Sequence, residues 1–207
     1  MLSKLLEDAI TLFVVINPIG KVPLFIAITR DETPQRRRQI ARRGVVIAAV
    51  ILIAFIVIGQ ILLEGLKVSL PAFRVAGGLV LLLIALKMVL SEEESRSRST
   101  EPAPAGGPRD VAVFPLAMPF IAGPGAVMAA VLLTDNDTFS ILQQAATGVV
   151  LLVILAITYV ILLGAEAVQR RLGPTGTNVL SRVLGLVLAA LAAEAMLGGL
   201  RAFFAAP

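Results

Sequence analysis

Residues 14–25 read VVINPIGKVPLF, and they interrupt an apolar segment that runs from about residue 5 to residue 29. A segment of this length is long enough to cross a bilayer, which takes about 20 apolar residues in a helix. Pro18 and Pro23 remove backbone donors from that helix, and Gly20 permits backbone angles that other residues resist. The stretch therefore predicts a membrane helix that breaks near mid-membrane, at residues 17–20.

A second interruption lies in the other half of the chain. Residues 118–126 read MPFIAGPGA and lie at the centre of the apolar segment 111–134. One such break alone is more often a proline kink that only shapes packing. Two breaks at corresponding positions are typical of secondary transporters, in which the substrate site lies where the broken helices meet. The pair therefore favours a transport site over two unrelated kinks.

The composition is that of a polytopic membrane protein. Of the 207 residues, 57% are hydrophobic and 15% are charged, and the mean hydropathy is +0.93. Soluble domains carry charge on about a quarter of their residues. Cysteine and histidine are absent, which excludes thiolate chemistry and removes the commonest metal ligand and general base. We therefore expect no enzyme activity, cofactor or metal site. The net charge of +4 reflects loop arginines, so we expect no nucleic-acid partner.

Six apolar segments predict six transmembrane helices in a single all-α membrane domain. They cover residues 5–29, 45–63, 70–90, 111–134, 141–165 and 176–200. Between the third and fourth segments, residues 91–110 are charged and rich in Pro and Gly. Such a composition cannot bury a core, and it predicts a mobile linker.

Lysine and arginine are concentrated on one side of the predicted bundle. The loops after segments one, three and five hold Arg30, Arg36, Arg37, Arg38, Arg42, Arg43, Arg96, Arg98, Arg109, Arg170 and Arg171, whereas the other side holds Lys4, Lys67 and Arg201. Cytoplasmic loops carry the excess of basic residues in membrane proteins. We therefore expect a multi-pass protein of the cell inner (plasma) membrane, with a cytoplasmic linker and both termini on the outer, periplasmic side.

The two halves of the chain show a weak internal repeat. Gly20 and Gly125 are 105 residues apart, as are the threonines that close the two broken segments, whereas Arg74 and Arg182 are 108 residues apart. The repeats cover about residues 5–90 and 111–200, each with a broken helix, a plain helix and a helix that begins with an arginine. Because three crossings are an odd number, the second half must have inverted topology, as in many secondary transporters.

The half-helices that follow the two breaks predict an anion site. Backbone N–H groups at a helix start, together with the helix dipole, favour an anionic group. The small residues Gly123, Gly125 and Ala126 face Gly20 in this arrangement. The narrow space between them would suit the carboxylate of a small solute.

Other polar residues in the apolar segments each have a functional and a structural interpretation. Lys21 either faces the anion site or reaches for water. Asn17 either coordinates a substrate amine or an ion, or accepts a hydrogen bond from the freed backbone. Arg74 and Arg182 are candidates for gating or charge pairing, or they snorkel to the headgroups. Glu194 lies deep in the sixth segment and either carries a proton or pairs with an arginine.

Three motifs resemble the MarC family of integral inner-membrane proteins, which is similar to the lysine-exporter-like transporter group. They are NPIGKVPLF at 17–25, RVAGG at 74–78 and FPLAMPFIAGPGA at 114–126, and the match runs in order over 12–199. The resemblance implies secondary transport of small neutral amino acids such as glycine and alanine. The small-molecule partner is then an amino acid, with H⁺ or Na⁺ as candidate coupling ions.

Two other functions are also compatible with these residues. An anionic-lipid or phosphate flippase, or an anion channel, would also use half-helix starts and arginines. A non-transporting membrane scaffold would have no polar central cavity. The lipid bilayer is a partner in every case, and a homo-oligomer is compatible with each of them.

Overall fold

The computed structural model describes residues 2–90, 110–136 and 139–205, and these residues form helices without a strand. The helices are α1 (Leu2–Ile16), α2 (Val22–Ile28), α3 (Pro34–Gly65), α4 (Leu70–Leu90), α5 (Ala112–Ile121), α6 (Pro124–Leu132), α7 (Ile141–Leu163) and α8 (Ala165–Ala205). The predicted linker lies outside the described residues, except for Asp110.

The interruptions expected from the prolines coincide with non-helical backbone. Residues 17–21 form turns between α1 and α2, and Ala122 and Gly123 separate α5 from α6. The segment α5 is irregular, because Phe114 and Met118 depart from helical angles within it. It meets α6 at an angle of 53°.

The basic stretch after the first segment is helical, and the predicted loop over residues 30–43 is wrong for most of its length. The helix α3 begins at Pro34, well before the expected residue 45. Thr33 caps it by accepting a hydrogen bond from the Arg36 amide at 3.3 Å. Proline is suited to the first position of a helix, and arginine is a strong helix former. The first turns of α3 are therefore basic and exposed.

The third predicted segment has the bounds of α4, whereas the last one is shorter than α8. The helix α8 begins at Ala165 and contains a break at Gly173, where φ is 66°. Four helices of the described residues are long and apolar enough to cross a membrane: α3, α4, α7 and the part of α8 after the break. A fifth crossing results if α5 and α6 together form one span.

The helices α4 and α8 pack closely against each other because glycines lie at their interface. A Cβ atom added to Gly78 would lie 2.8 Å from the carbonyl oxygen of Ala192, and one added to Gly185 would lie 3.2 Å from that of Ala85. Membrane helices without a hydrophobic driving force between them associate through such small residues. The remaining helices surround a buried apolar core that includes Leu52.

Candidate functional site

The first interruption is stabilised by its own asparagine. Asn17 has a φ of 47°, in the left-handed region that asparagine tolerates better than most residues. Its Oδ1 atom accepts a hydrogen bond from the Gly20 amide at 3.0 Å. A Cβ atom added to Gly20 would lie 2.3 Å from the Asn17 Nδ2 atom. Glycine is therefore needed here so that the asparagine side chain can fold back over the turn.

The second interruption has no such side-chain cap. Gly123 is the N-cap of α6, with extended backbone, and Pro124 follows as the first helical residue. A Cβ atom added to Gly123 would lie 2.4 Å from the carbonyl oxygen of Pro119. The Ala122 amide donates a hydrogen bond to the Ala117 carbonyl at 2.9 Å. This break consists of backbone and small side chains alone.

The two interruptions come together through α1 and α6. A Cβ atom added to Gly125 would lie 2.9 Å from Ile84 Cδ1, 3.0 Å from Leu81 Cδ2 and 3.5 Å from Val15 Cγ1. Val15 is two residues before Asn17, so the start of α6 lies beside the end of α1. Apolar side chains fill the space next to Gly125 in this conformation.

A buried charged cluster lies at the end of the bundle where α1 begins, and we call it the Asp8 cluster. The Lys4 ammonium lies 2.7 Å from Asp8 Oδ2, and it donates to Thr147 Oγ1 at 3.0 Å and to the Leu133 carbonyl at 3.1 Å. It also lies 4.0 Å above the ring of Phe139. The Asp8 side chain is 1% exposed, so this carboxyl group is isolated from bulk solvent.

A second ion pair lies near the same end. Arg74 Nη2 is 2.8 Å from Asp135 Oδ2, and the aspartate is buried. Asn136, which follows it, accepts a hydrogen bond from Gln144 at 2.8 Å and donates its amide to Gln60 at 2.8 Å. These contacts fix the connection between α6 and α7 to the ends of α3 and α4.

The opposite end of the bundle holds the Arg37 cluster, which consists of Thr29, Arg30, Arg37 and Glu166. Arg37 forms an ion pair with Glu166 and donates to the carbonyl oxygens of Thr29 at 2.9 Å and Arg30 at 3.0 Å. Arginine that donates to the last carbonyls of a helix satisfies groups without an intrahelical partner. Arg37 therefore ties the end of α2 to the start of α8.

A pocket of about 270 Å³ borders the Arg37 cluster. Its lining combines apolar and basic side chains from α2, α3, α7 and α8, including Phe25, Ile26, Arg37, Arg38, Leu162 and Arg170. Within the described ranges, no group of acidic residues is arranged to hold a metal ion.

Comparison with known proteins assigns the chain to a family. The model of the MarC family integral membrane proteins matches residues 2–204. The chain belongs to the MarC family. It is 36% identical over 191 residues to a UPF0056 membrane protein of Methanocaldococcus jannaschii, covering 92% of this chain and 93% of the relative. No solved structure matches this MarC-family chain.

Two bacterial relatives cover the chain from end to end. It is 33% identical over 207 residues to the UPF0056 membrane protein YvbG of Bacillus subtilis, covering 99% of this chain and 97% of YvbG. It is 31% identical over 200 residues to the UPF0056 inner membrane protein YhgN of Escherichia coli, covering 97% of this chain and 98% of YhgN. The resemblance inferred from the motifs is thus confirmed, and the protein is an integral membrane protein.

The MarC-family fold brings only some of the expected site residues together. Gly123, Gly125 and Ala126 lie at the start of α6, next to the end of α1, whereas the nearest neighbours of a methyl group at Gly20 all belong to Asn17. Lys21 is half-buried as the N-cap of α2, and it makes no side-chain capping bond. Asn17 has the structural role, because its side chain accepts a hydrogen bond from the Gly20 amide in the turn that Asn17 begins.

The charged candidates lie on α4 and α8. Arg74 is paired with Asp135, an acidic residue in the short link after α6. Arg182 is half-buried on α8, and Glu194 is exposed on the same helix. Among the residues that the structure describes, neither Arg182 nor Glu194 forms an ion pair.

Asp8, Thr147 and Asp135 were not predicted as site residues. Asp8 stands at the edge of the first apolar segment, where a charge usually marks the end of a span. Helical spacing was the available signal, because Asp8 lies four residues before Leu12 and eight before Ile16, on the buried face of α1. Its partner Thr147 is 139 residues away in sequence, and no local pattern connects the two.

Proposed function

We propose that this MarC-family protein is a secondary transporter of small neutral amino acids such as glycine and alanine. The substrate class follows from the resemblance to amino-acid transporters. The observation that best supports a transport site is the meeting of two interruptions, where the start of α6 at Gly125 lies beside the end of α1 at Val15. Non-helical backbone inside an apolar bundle is costly unless it serves a cavity or is covered by protein.

We infer that the substrate carboxylate is bound at the start of α6. Gly123, Gly125 and Ala126 carry almost no side chain, so an anion could approach their backbone once the neighbouring side chains move, and helix starts favour anions. The helix α2 has seven residues, fewer than two turns, so its dipole contributes less. We assign Asn17, Gly20 and Lys21, the residues of the first interruption, to the opposite wall of the proposed site. Leu81 and Ile84 lie against Gly125, and these side chains must move when the site opens.

The proposed architecture has six spans in two inverted repeats, with α1–α2 and α5–α6 as the broken spans. Matching contacts support it: Thr29 and Thr134 are both buried, and each donates its hydroxyl to the carbonyl four residues earlier at 2.7 Å. Thr33 and Ser140 cap α3 and α7 with the same φ of −65° and ψ of 156°. In this arrangement both termini lie on the outer side.

A flippase or channel for anionic lipids or phosphate is the second candidate. It is favoured by the pocket beside the Arg37 cluster, which is lined by Arg37, Arg38 and Arg170. Basic pockets between membrane helices bind lipid headgroups. Glu166 forms an ion pair with Arg37 and neutralises part of its charge. The lining of the pocket therefore carries both signs of charge.

The experiment that tests the proposed function is counterflow in proteoliposomes with labelled glycine, alanine, lysine and phosphate. We expect glycine and alanine to exchange, and lysine and phosphate to be excluded. Gly125→Ala should lower glycine exchange by about tenfold, because the methyl group meets Ile84 and Leu81 and narrows the start of α6. Exchange of phosphate instead of glycine would favour the flippase or channel for anionic lipids or phosphate.

The matched control is Gly198→Ala on α8, where a new methyl group meets no atom within 4 Å. It should transport at the wild-type rate when equal amounts of folded protein are compared by gel filtration. If Gly125→Ala exchanges glycine at the wild-type rate, the substrate carboxylate does not bind at the start of α6.

A further inference from the structure

The Lys4 ammonium of the Asp8 cluster has a complete set of partners. Its three N–H groups meet three acceptors: Asp8 Oδ2 at 2.7 Å, Thr147 Oγ1 at 3.0 Å and the Leu133 carbonyl oxygen at 3.1 Å. A lysine ammonium carries three donors and no acceptor. The ring of Phe139, with its centroid 4.0 Å from the nitrogen, adds a cation–π contact. The surroundings match a primary ammonium group in charge, number of acceptors and shape.

The acceptors of this site hold one another in place. The Thr147 hydroxyl has one proton and two acceptors in reach, Asp8 Oδ2 at 2.6 Å and the Gln143 carbonyl at 3.0 Å. Donation to the nearer one, Asp8, leaves its lone pairs for the ammonium. Asp8 is 1% exposed and Thr147 is fully buried. A carboxylate removed from water to this degree needs a cation, because an unpaired buried charge is strongly destabilising.

The alternative is an ordinary helix pair, since Lys4 and Asp8 are four residues apart on α1. Such a pair on a helix surface contributes little to stability and needs no other element. Here the acceptors and the ring come from α1, from the end of α6 and from the region where α7 begins. Groups from three separate parts of the chain thus surround one nitrogen atom, as the groups of a ligand-binding site do.

We propose that Asp8, Thr147, the Leu133 carbonyl and Phe139 form a binding site for a primary ammonium group, and that Lys4 is an internal occupant that an incoming amine displaces. Lys4 lies in the first turn of α1, its stem has four flexible carbons, and its side chain is 12% exposed. Helix ends fray more readily than helix centres. The lysine can therefore leave while the three acceptors stay in place.

The identity of the natural ligand rests on the proposed function. If the protein carries amino acids, the α-ammonium of the substrate is the amine that replaces Lys4 at this end of the bundle. Leu133 follows the last turn of α6 and Gly125 lies in its first turn, roughly 12 Å apart at about 1.5 Å per residue. A small amino acid would therefore occupy this site and the carboxylate site in succession and not at the same time. An internal competitor reduces the apparent affinity to the intrinsic affinity multiplied by the fraction of sites that it leaves free, so Lys4 would keep the site closed to weakly bound amines.

The first experiment is chemical rescue of Lys4→Ala in detergent, with methylammonium as the probe. The variant leaves Asp8 without its cation, and we expect its Tm to fall by about 5–10 °C. Methylammonium chloride should restore most of that loss, whereas sodium chloride and tetramethylammonium chloride at equal ionic strength should not. Equal rescue by sodium, or none by methylammonium, would overturn the ammonium site.

Two second substitutions, compared with each other, test whether Asp8 is the carboxylate that binds methylammonium. Asp8→Asn in the Lys4→Ala background should abolish the dependence of Tm on methylammonium, because the charged acceptor is gone. Glu7→Gln in the same background should leave the dependence intact, because Glu7 is exposed on α1. Rescue that survives Asp8→Asn would contradict the proposal.

The second experiment uses the unmodified chain and does not depend on the folding of a variant. Lys4 should react slowly with an amine-acylating reagent, and methylammonium should raise its rate several-fold by displacing it from Asp8. Lys67, which is exposed between α3 and α4, serves as the internal reference and should not respond. An unchanged rate at Lys4 would rule out displacement.

The two proposals fail separately. Methylammonium rescue without glycine counterflow would leave the ammonium site standing and remove the amino-acid transporter. Glycine counterflow without methylammonium rescue and without displacement of Lys4 would support the transporter and remove the ammonium site.

Discussion

The two ends of the bundle hold their charged side chains in different ways. In the Asp8 cluster the carboxyl group is 1% exposed, and its lysine partner is 12% exposed. In the Arg37 cluster the side chains of Arg37 and Glu166 are 26% and 63% exposed. The number of hydrogen bonds is similar at both ends, but water reaches only one of them freely.

This difference decides what each end contributes to stability. Exposed ion pairs contribute about 0–1 kcal/mol, because solvent screens them and long side chains lose entropy. A buried pair contributes little when it is intact, yet the loss of one partner is strongly destabilising. The Asp8 cluster should therefore be sensitive to truncation, and the Arg37 cluster should tolerate it.

The largest effect is expected for Asp8→Ala. The substitution removes the buried acceptor that the Lys4 ammonium and the Thr147 hydroxyl share, so α1 loses its polar contact with α7, and we expect the free energy of unfolding to fall by about 3 kcal/mol. Unfolding in mixed detergent micelles measures it, and added salt should change the loss little. Glu7→Ala, an exposed neighbour on α1, should stay within about 0.5 kcal/mol. Equal losses at both positions would remove the contrast between the two ends.

A smaller effect is expected for Arg37→Gln at the opposite end. It removes the ion pair with Glu166 and the hydrogen bonds to the carbonyls of Thr29 and Arg30. Hydrogen bonds from a charged donor are stronger than neutral ones, but solvent access reduces the loss here, and we expect about 1–2 kcal/mol. Arg38→Gln, an exposed neighbour on α3, is the matched control. A loss as large as that of Asp8→Ala would show that exposure is not the deciding factor.

The fold could be predicted largely from patterns that act locally. The bounds of α4 follow from a continuous apolar run, and the turns at residues 17–21 follow from proline, glycine and asparagine in one stretch. The start of α3 was missed because a run of arginines resembles a loop on a hydropathy scale. The cap by Thr33 and the proline after it are the signals that place the helix start earlier.

The charged clusters could be predicted much less well, because they depend on contacts between distant parts of the chain. Arg74 was recognised as a candidate, but its partner Asp135 lies 61 residues away. Asp8 was not singled out as a candidate, and only packing against α7 shows it to be buried. The sequence also does not reveal that Glu194 lies on an exposed face of α8, because apolar residues surround it on all sides of the helix.

The smallest effect is expected for Glu166→Gln, which tests the comparison at its most exposed member. The substitution removes the negative charge beside Arg37. Arg37 keeps its hydrogen bonds to the carbonyl oxygens at the end of α2, and its side chain stays accessible to solvent. We expect a loss of about 0–1 kcal/mol. Because exposed charges separated by water are screened by salt, the difference from the wild type should vanish at high ionic strength. The same salt series with Asp8→Ala should leave its loss in place. A Glu166→Gln loss that persisted in high salt would mean that the Arg37 cluster is shielded in the membrane, and the two ends would then be alike.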